Sequence, residues 1–362
     1  MLAAIWIFIV VFSLSLGLSG VIIWASQRWN LLSTPQANRW NDRRISIHGG
    51  VGIWLAFSVG LFLFKGIDLE VQEWVLWSTS SLMFLVGLYD DFFTLSPKWK
   101  LLFQFLVTGT AVGCGIMFTF LDSYWLNVLI TALWIVGLNN AINLLDNMDG
   151  ASSGIVFITL TSLAFLPHHM DAGLAYSCLI LAASVLGFLV FNFHPARIFM
   201  GDSGSLFLGN MTAMLLLLFS QTISPTVSHT FFNLPSAILI PALMLFTPIL
   251  DTTYVFLNRI LNGYPISQGD KGHISHRLSH ILGGDRLAVL CLYAFQLNIA
   301  WIVASYYWTY FYPVMLLTVL GLVLLTRATN HLVWPEKYVK PPSLGFRIAP
   351  LRRAVNIAGQ DL

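Results

Sequence analysis

Four short stretches of this sequence carry side chains suited to phosphate and cation chemistry. The first, Gly87-Leu88-Tyr89-Asp90-Asp91-Phe92, sets two carboxylates side by side. Adjacent carboxylates at a helix end repel each other unless a cation or an opposing base is near. Asp90 and Asp91 therefore read as a Mg²⁺ site, or as a positioned base beside one, against the blander reading of a solvated loop start. The second stretch runs from Asn139 to Gly150. Asp146 and Asp149 stand at i and i+3, and Asn140 and Asn143 repeat that spacing before them, so all four fall on one helical stripe. At the end of an apolar helix such a stripe either binds something polar or is a hydrated terminus.

The third stretch, Gly201-Asp202-Ser203-Gly204-Ser205, precedes an apolar helix. Its glycines let a ligand approach the backbone, and the free N–H groups of a helix start favour phosphate. Asp202 would there be an oxygen ligand for a hard cation shared with phosphate oxygens; the alternative is a simple N-cap. The fourth, Gly269 to Arg277, brings His273, His276 and Arg277 to this acidic set. Two histidines without a nearby cysteine make a poor zinc site. Anion binding by Arg277, with histidine hydrogen bonds to a diphosphate, suits the chemistry better. A metal-binding acid set, a glycine loop and an anion grip together point to phosphoryl transfer to or from a lipid phosphate. The rival class is an ion-coupled transporter, whose sites lie near the midplane of repeated halves. No repeat is visible, and Asp251 is the one acid placed well inside an apolar run. It is either functional or a structural hydrogen-bond partner of a neighbouring helix. His48 has no evident partner, and His168 and His169 read as loop residues.

The elements that position these groups must lie in a membrane. Of 362 residues 57% are hydrophobic and only 9% are charged, against about 25% in a soluble domain. So apolar a composition excludes an ordinary globular protein, a disordered chain and a nucleic-acid binder; net charge is only +2, so what matters is where the charges sit. Cys114, Cys178 and Cys291 lie in separate apolar runs and read as packing residues, not a disulfide framework. No removable leader is expected at the N-terminus. The expected fold is all-α and polytopic, with about eleven spans at 2–24, 50–64, 74–89, 101–121, 125–142, 151–166, 173–190, 205–219, 234–257, 287–307 and 310–326. Residues 1–326 form one transmembrane domain and 327–362 a short basic tail. With these spans, every Lys and Arg except Lys65 falls on one face. The positive-inside rule makes that face cytoplasmic, with the N-terminus outside, the C-terminus inside and all four stretches on the cytoplasmic surface.

In this order, the stretches resemble the polyprenyl-phosphate N-acetylhexosamine-1-phosphate transferase family, from about Gly87 to Leu278. Asp90-Asp91 with Leu95-Ser96-Pro97 and Lys100 looks like its Asp-Asp segment. Asn140 to Gly150 is similar to its second acidic motif, Phe191-Asn192 to Gly209 is the closest match, and Gly272 to Leu278 looks like its histidine loop. The resemblance implies transfer of a sugar 1-phosphate from a UDP-sugar to undecaprenyl phosphate, with release of UMP and a need for Mg²⁺ (Mn²⁺ as the alternative ion). By position, Asp202 would ligate Mg²⁺, and Asp90 and Asp91 would orient or deprotonate the lipid phosphate. Lys100 would face that acceptor. Asn140, Asn143, Asp146 and Asp149 would line the nucleotide site, with Phe199 near the uracil and Asn192 near the phosphates. His273, His276 and Arg277 would hold the diphosphate or the sugar. The histidine loop resembles the GlcNAc branch; UDP-MurNAc-pentapeptide or a modified HexNAc is the alternative donor. A bacterial plasma-membrane location follows, with a homodimer as one option. The sequence departs from the family at Asn147 and Ala151, usually Gly and Leu, and at Ser275, which replaces a histidine. Asn38, Asn41 and Arg44-Ile45-Ser46 replace the usual residues of the loop 25–49, so no role carries over from it.

Overall fold

Uninterrupted apolar runs leave the backbone no partner but itself, so they fold as helices. The computed structural model describes residues 2–32, 44–166, 172–222, 236–263 and 272–307. The chain divides into units at 1–319 and 320–362, and every described residue lies in the first. Those residues form α1 (Leu2–Arg28), α2 (Gly49–Lys65), α3 (Val71–Phe93), α4 (Pro97–Gly113), α5 (Tyr124–Leu145), α6 (Ala151–Ala164), α7 (Ala172–Asn192), α8 (Gly201–Thr222), α9 (Ser236–Met244), α10 (Phe246–Leu261), α11 (Ile274–Leu282) and α12 (Asp285–Tyr307). No strand forms among them beyond one isolated bridge, Ser46 to Ile198. The all-α expectation holds.

Five helices are long and apolar enough to cross a membrane: α1, α5, α7, α8 and α12. The bent pair α9–α10 makes up to six, and α2 and α6 are shorter apolar helices. The expected span at 310–326 and the basic tail lie outside the described residues, as do Pro35, Asn38, Asn41, His168, His169 and Lys271.

Helix α8 is the axis of the bundle. Its residues are apolar on every side and are buried from Ser203 to Ser220, which requires neighbours all round. Helices α2, α3 and α5 pack directly on it. Hydrogen bonds from side chains tie the layers where no water competes: Asn210 Nδ2 donates to Ser80 Oγ (2.9 Å), Asn139 Nδ2 to Asn210 Oδ1 (3.3 Å) and Trp134 Nε1 to the backbone carbonyl of Ala213 (2.9 Å).

The expected ninth span is not one helix. It breaks at Leu245, and α10 turns 80° away from α9. The physical cause is Pro248, which lacks the N–H that the Met244 carbonyl needs to continue the helix. That carbonyl is satisfied from other helices instead, by Gln296 Nε2 (2.8 Å) and Thr159 Oγ1 (2.9 Å). Thr247 Oγ1 donates to the other end of the same amide, Gln296 Oε1, at 2.6 Å.

Candidate active site

Four helix ends build the acidic cluster. Asp90 and Asp91 close α3, Lys100 lies in the first turn of α4, Asn143 nears the end of α5 and Asp202 opens α8. Lys100 Nζ is 2.7 Å from Asp90 Oδ2 and also pairs with Asp202 Oδ2. Asn143 Nδ2 reaches Asp202 Oδ1 at 3.2 Å and Ser205 Oγ at 2.7 Å. Asp90 Oδ1 also accepts from the Leu95 amide. Asp91 has a different task. Its Oδ1 accepts from the Asp202 N–H (2.8 Å) and its Oδ2 from the Ser203 N–H (3.1 Å), so it caps α8 from a neighbouring helix.

The sequence placed free N–H groups at the start of α8; the structure fills two of them with Asp91. The close approach depends on glycine. A Cβ on Gly87 would lie 2.2 Å from the Asp202 carbonyl oxygen, and one on Gly201 (φ +72°) 2.2 Å from that of Ile47. The segment before α2 pairs there: Phe199 N–H donates to Ser46 O (2.7 Å), and the Gly49 and Gly50 N–H groups donate to Phe199 O and Met200 O (2.9 Å each). His48, given no partner from sequence, stacks on Phe92 at 4.8 Å, and burial lowers its pKa.

Burial pushes the Asp91 carboxyl up to about 6 against the pull of its two amide partners. Burial raises Asp90 as well, and the Asp202 charge adds to it. Burial works against the Lys100 charge, but Asp202 and Asp90 outweigh it, and the net shift is upward. Two carboxylates thus share one ammonium. Among the described residues no group of three or more His, Cys, Asp or Glu forms a metal cage. The two carboxylates Asp90 and Asp202 fit a hard cation of the Mg²⁺ type, which takes one or two carboxylates and completes its shell with phosphate and water.

Other expected site residues form a second group. Asp149 Oδ2 meets His194 Nδ1 and accepts from the Ala196 N–H, each at 3.0 Å. Asn192 is buried, and its Oδ1 accepts from the Gly150 N–H (3.1 Å) and Ser153 Oγ (2.7 Å) while Nδ2 donates to Ile198 O (2.9 Å). These bonds lace the loop after α5 to the loop after α7, which carries Phe199. Asn140 donates to Gln104 Oε1 at 2.9 Å, and Asp146 caps the end of α5.

The histidine loop is a third group. His273 and His276 are buried, and Arg277 lies 4.7 Å over the Tyr254 ring. Ser275, which stands where a histidine is usual, donates to Asn147 Oδ1 at 2.9 Å and so joins α11 to the α5–α6 loop. Asp251, left open between two readings by the sequence, is paired with His273 at 2.7 Å. Beside α5, an apolar cavity of about 320 Å³ lies against α9 and α10, lined by Leu133, Trp134, Ala141 and Ile249 among others.

Residues 73–220 match the family model for glycosyl transferase family 4. A probable undecaprenyl-phosphate N-acetylglucosaminyl 1-phosphate transferase of Bacillus subtilis is 37% identical over 269 residues, 72% of each chain. A decaprenyl-phosphate N-acetylglucosaminephosphotransferase of Mycobacterium leprae is 30% identical over 68% of this chain and 69% of its own. A phospho-N-acetylmuramoyl-pentapeptide-transferase of Listeria monocytogenes is 33% identical over 48% of this chain and 60% of its own.

Proposed function

This chain belongs to glycosyl transferase family 4, and we propose that it transfers N-acetylhexosamine 1-phosphate from a UDP-sugar to undecaprenyl phosphate. GlcNAc 1-phosphate is the proposed group, and UMP is the leaving product. The observation that carries this reading is Lys100 held between Asp90 and Asp202, with Asn143 on the same Asp202. A cation between two acids at a helix start is balanced to exchange partners when phosphates arrive.

In the proposed reaction an acceptor phosphate oxygen bonds to the phosphorus that carries the sugar. The bond from that phosphorus to the bridging oxygen breaks, and UMP leaves with the electron pair. A phosphate monoester has its second pKa near ~6 and is largely a dianion at neutral pH, so positioning and charge neutralisation matter more than a strong base. Lys100 supplies the positive point charge for the acceptor. Asp91 commits both oxygens to α8 and keeps Asp202 in register. Asp90 and Asp202 would hold Mg²⁺, which supplies Lewis-acid neutralisation of the diphosphate charge. Asn140, Asp146 and Phe199 are the proposed nucleotide contacts, with Asp149 and Asn192 bracing their loops. His273, His276 and Arg277 are proposed for the diphosphate or sugar. The apolar cavity beside α5 suits the start of a prenyl chain.

The proposed setting is the bacterial plasma membrane, crossed by eleven spans with the site on the cytoplasmic face. The segregation of Lys and Arg to that face supports it. Purified protein in lipid nanodiscs, given UDP-GlcNAc, undecaprenyl phosphate and Mg²⁺, is expected to release UMP only when all three are present. UMP release without the lipid would refute transfer in favour of hydrolysis. A parallel panel with UDP-GalNAc, UDP-QuiNAc and UDP-MurNAc-pentapeptide decides the sugar.

A further inference from the structure

We propose that Asp251 is a positioning residue for the transfer site, acting through His273; the role rests on the transferase reading above. Asp251 is 2% exposed, within a helix that sequence alone assigns to the membrane. A carboxylate so placed is retained only if both oxygens are engaged, and here they are. Oδ2 lies 2.7 Å from His273 Nδ1, and Oδ1 accepts from the Ile274 N–H at 2.7 Å. One side chain of α10 therefore fixes two things: the start of α11 and the imidazole that begins it.

Both need fixing. Helix α11 has 9 residues, too few to persist without tertiary support, and His273 at its N-cap makes no side-chain cap bond of its own. With the carboxylate ionised, Nδ1 of His273 carries the hydrogen, and Nε2 is left as the acceptor nitrogen of the ring. An unfixed ring would divide its time between tautomers and rotamers. The position of Asp251 is itself secured, because the break that turns α10 outward is held by Gln296 and Thr159 on the Met244 carbonyl. Pro248, Met244, Gln296, Asp251 and His273 thus form one mechanical chain from the bundle to the anion grip.

The test is a double-mutant cycle on the full-length protein in nanodiscs, read as kcat/KM for UDP-GlcNAc with undecaprenyl phosphate and Mg²⁺. Asp251→Asn keeps an oxygen for the Ile274 N–H and removes the charge that fixes the ring. We expect it to lower kcat/KM about 30-fold, in the range for partners that orient a site residue, with an unfolding midpoint close to wild type. His273→Gln is expected to lose a similar factor. The double variant should be no worse than the poorer single variant within about threefold, because Asp251 has nothing left to orient. Losses that multiply, or an Asp251→Asn protein as active as wild type, overturn the positioning role. Should Asp251→Asn fail to fold, His273→Gln decides alone: full activity there overturns the proposal, and a comparable loss in a stable protein supports it. A wild-type protein that releases no UMP refutes the parent reading, and this one with it; an active wild type with multiplying losses refutes only the role of Asp251.

Discussion

Replacing Gly87 with alanine tests whether the contact between α3 and α8 sets the reactive geometry. A Cβ at this position would lie 2.2 Å from the Asp202 carbonyl oxygen, 2.4 Å from its carbonyl carbon and 2.6 Å from Ser203 Cα. Ordinary contact between such atoms begins near ~3.5 Å. All three atoms belong to the backbone, so no rotamer change relieves the clash, and the start of α8 must retreat by about 1 Å. The peptide units that retreat are those that donate to Asp91 at 2.8 and 3.1 Å. After such a shift the two bonds lie near or past the limit of ~3.5 Å for useful hydrogen bonds. Asp202 also leaves Lys100 and Asn143. Misplacement of about 1 Å costs on the order of 100-fold in rate, and overpacking costs about 1–3 kcal/mol in stability.

The assay is lipid-dependent UMP release, with the thermal unfolding midpoint measured beside it. Gly109→Ala is the matched control: Gly109 sits within α4 with nothing within 4 Å of an added Cβ. Alanine there should add about 0.5–1 kcal/mol of helix stability and leave turnover unchanged. A Gly87→Ala protein with more than a third of the control's turnover and an unshifted midpoint would refute the reasoning, because the glycine would then serve no close approach.

Two further substitutions test other parts of the structure. Lys100→Met leaves Asp90 and Asp202 facing each other without their shared cation; turnover should fall about 100-fold or more, and added Mg²⁺ should raise the unfolding midpoint more than it does in wild type. Equal midpoint responses to Mg²⁺ in the two proteins would argue against a cation site at these carboxylates. Gln296→Leu strips the Met244 carbonyl and the Thr247 hydroxyl of a partner, which should destabilise the protein by about 1–3 kcal/mol, read as a lower unfolding midpoint in detergent. An unchanged midpoint would mean that the break between α9 and α10 is held elsewhere.

Much of the chemistry was legible because polar groups stand out against an apolar sequence. Asp90, Asp91, Asn143 and Asp202 are scattered over more than a hundred residues, yet their types and order were enough to expect one site; Lys100 joined them only through the family resemblance, and hydrogen bonds and ion pairs link the five. Among the described residues the apolar helices were legible for the same reason, apart from their ends, the break in the ninth span and the short α11, which no expected span covered. Pro248 was the available signal for that break. It passed as one more residue in an apolar run, because hydropathy records whether a segment suits lipid and not whether each carbonyl has a donor. The pairing of Ser46–Gly50 with Ile198–Met200 was less accessible, since no role carried over from the loop 25–49.

What the sequence could not supply was the division between groups that meet substrate and groups that hold the site together. In a medium without water every polar atom needs a partner, so scaffold and active site draw on the same residue types. Asp90 and Asp91 are neighbours in sequence, but one shares a lysine with Asp202 and the other closes the end of α8. Asn192 and Asn143 read alike as ligands; one is committed to three partners between two loops, and the other reaches the acidic cluster. Each distinction depends on a partner more than thirty residues away, and spacing along one helix does not reveal it. The same logic makes Asp251 informative: a carboxylate inside an apolar run has to be matched by something, and the match it found is His273 at the start of α11.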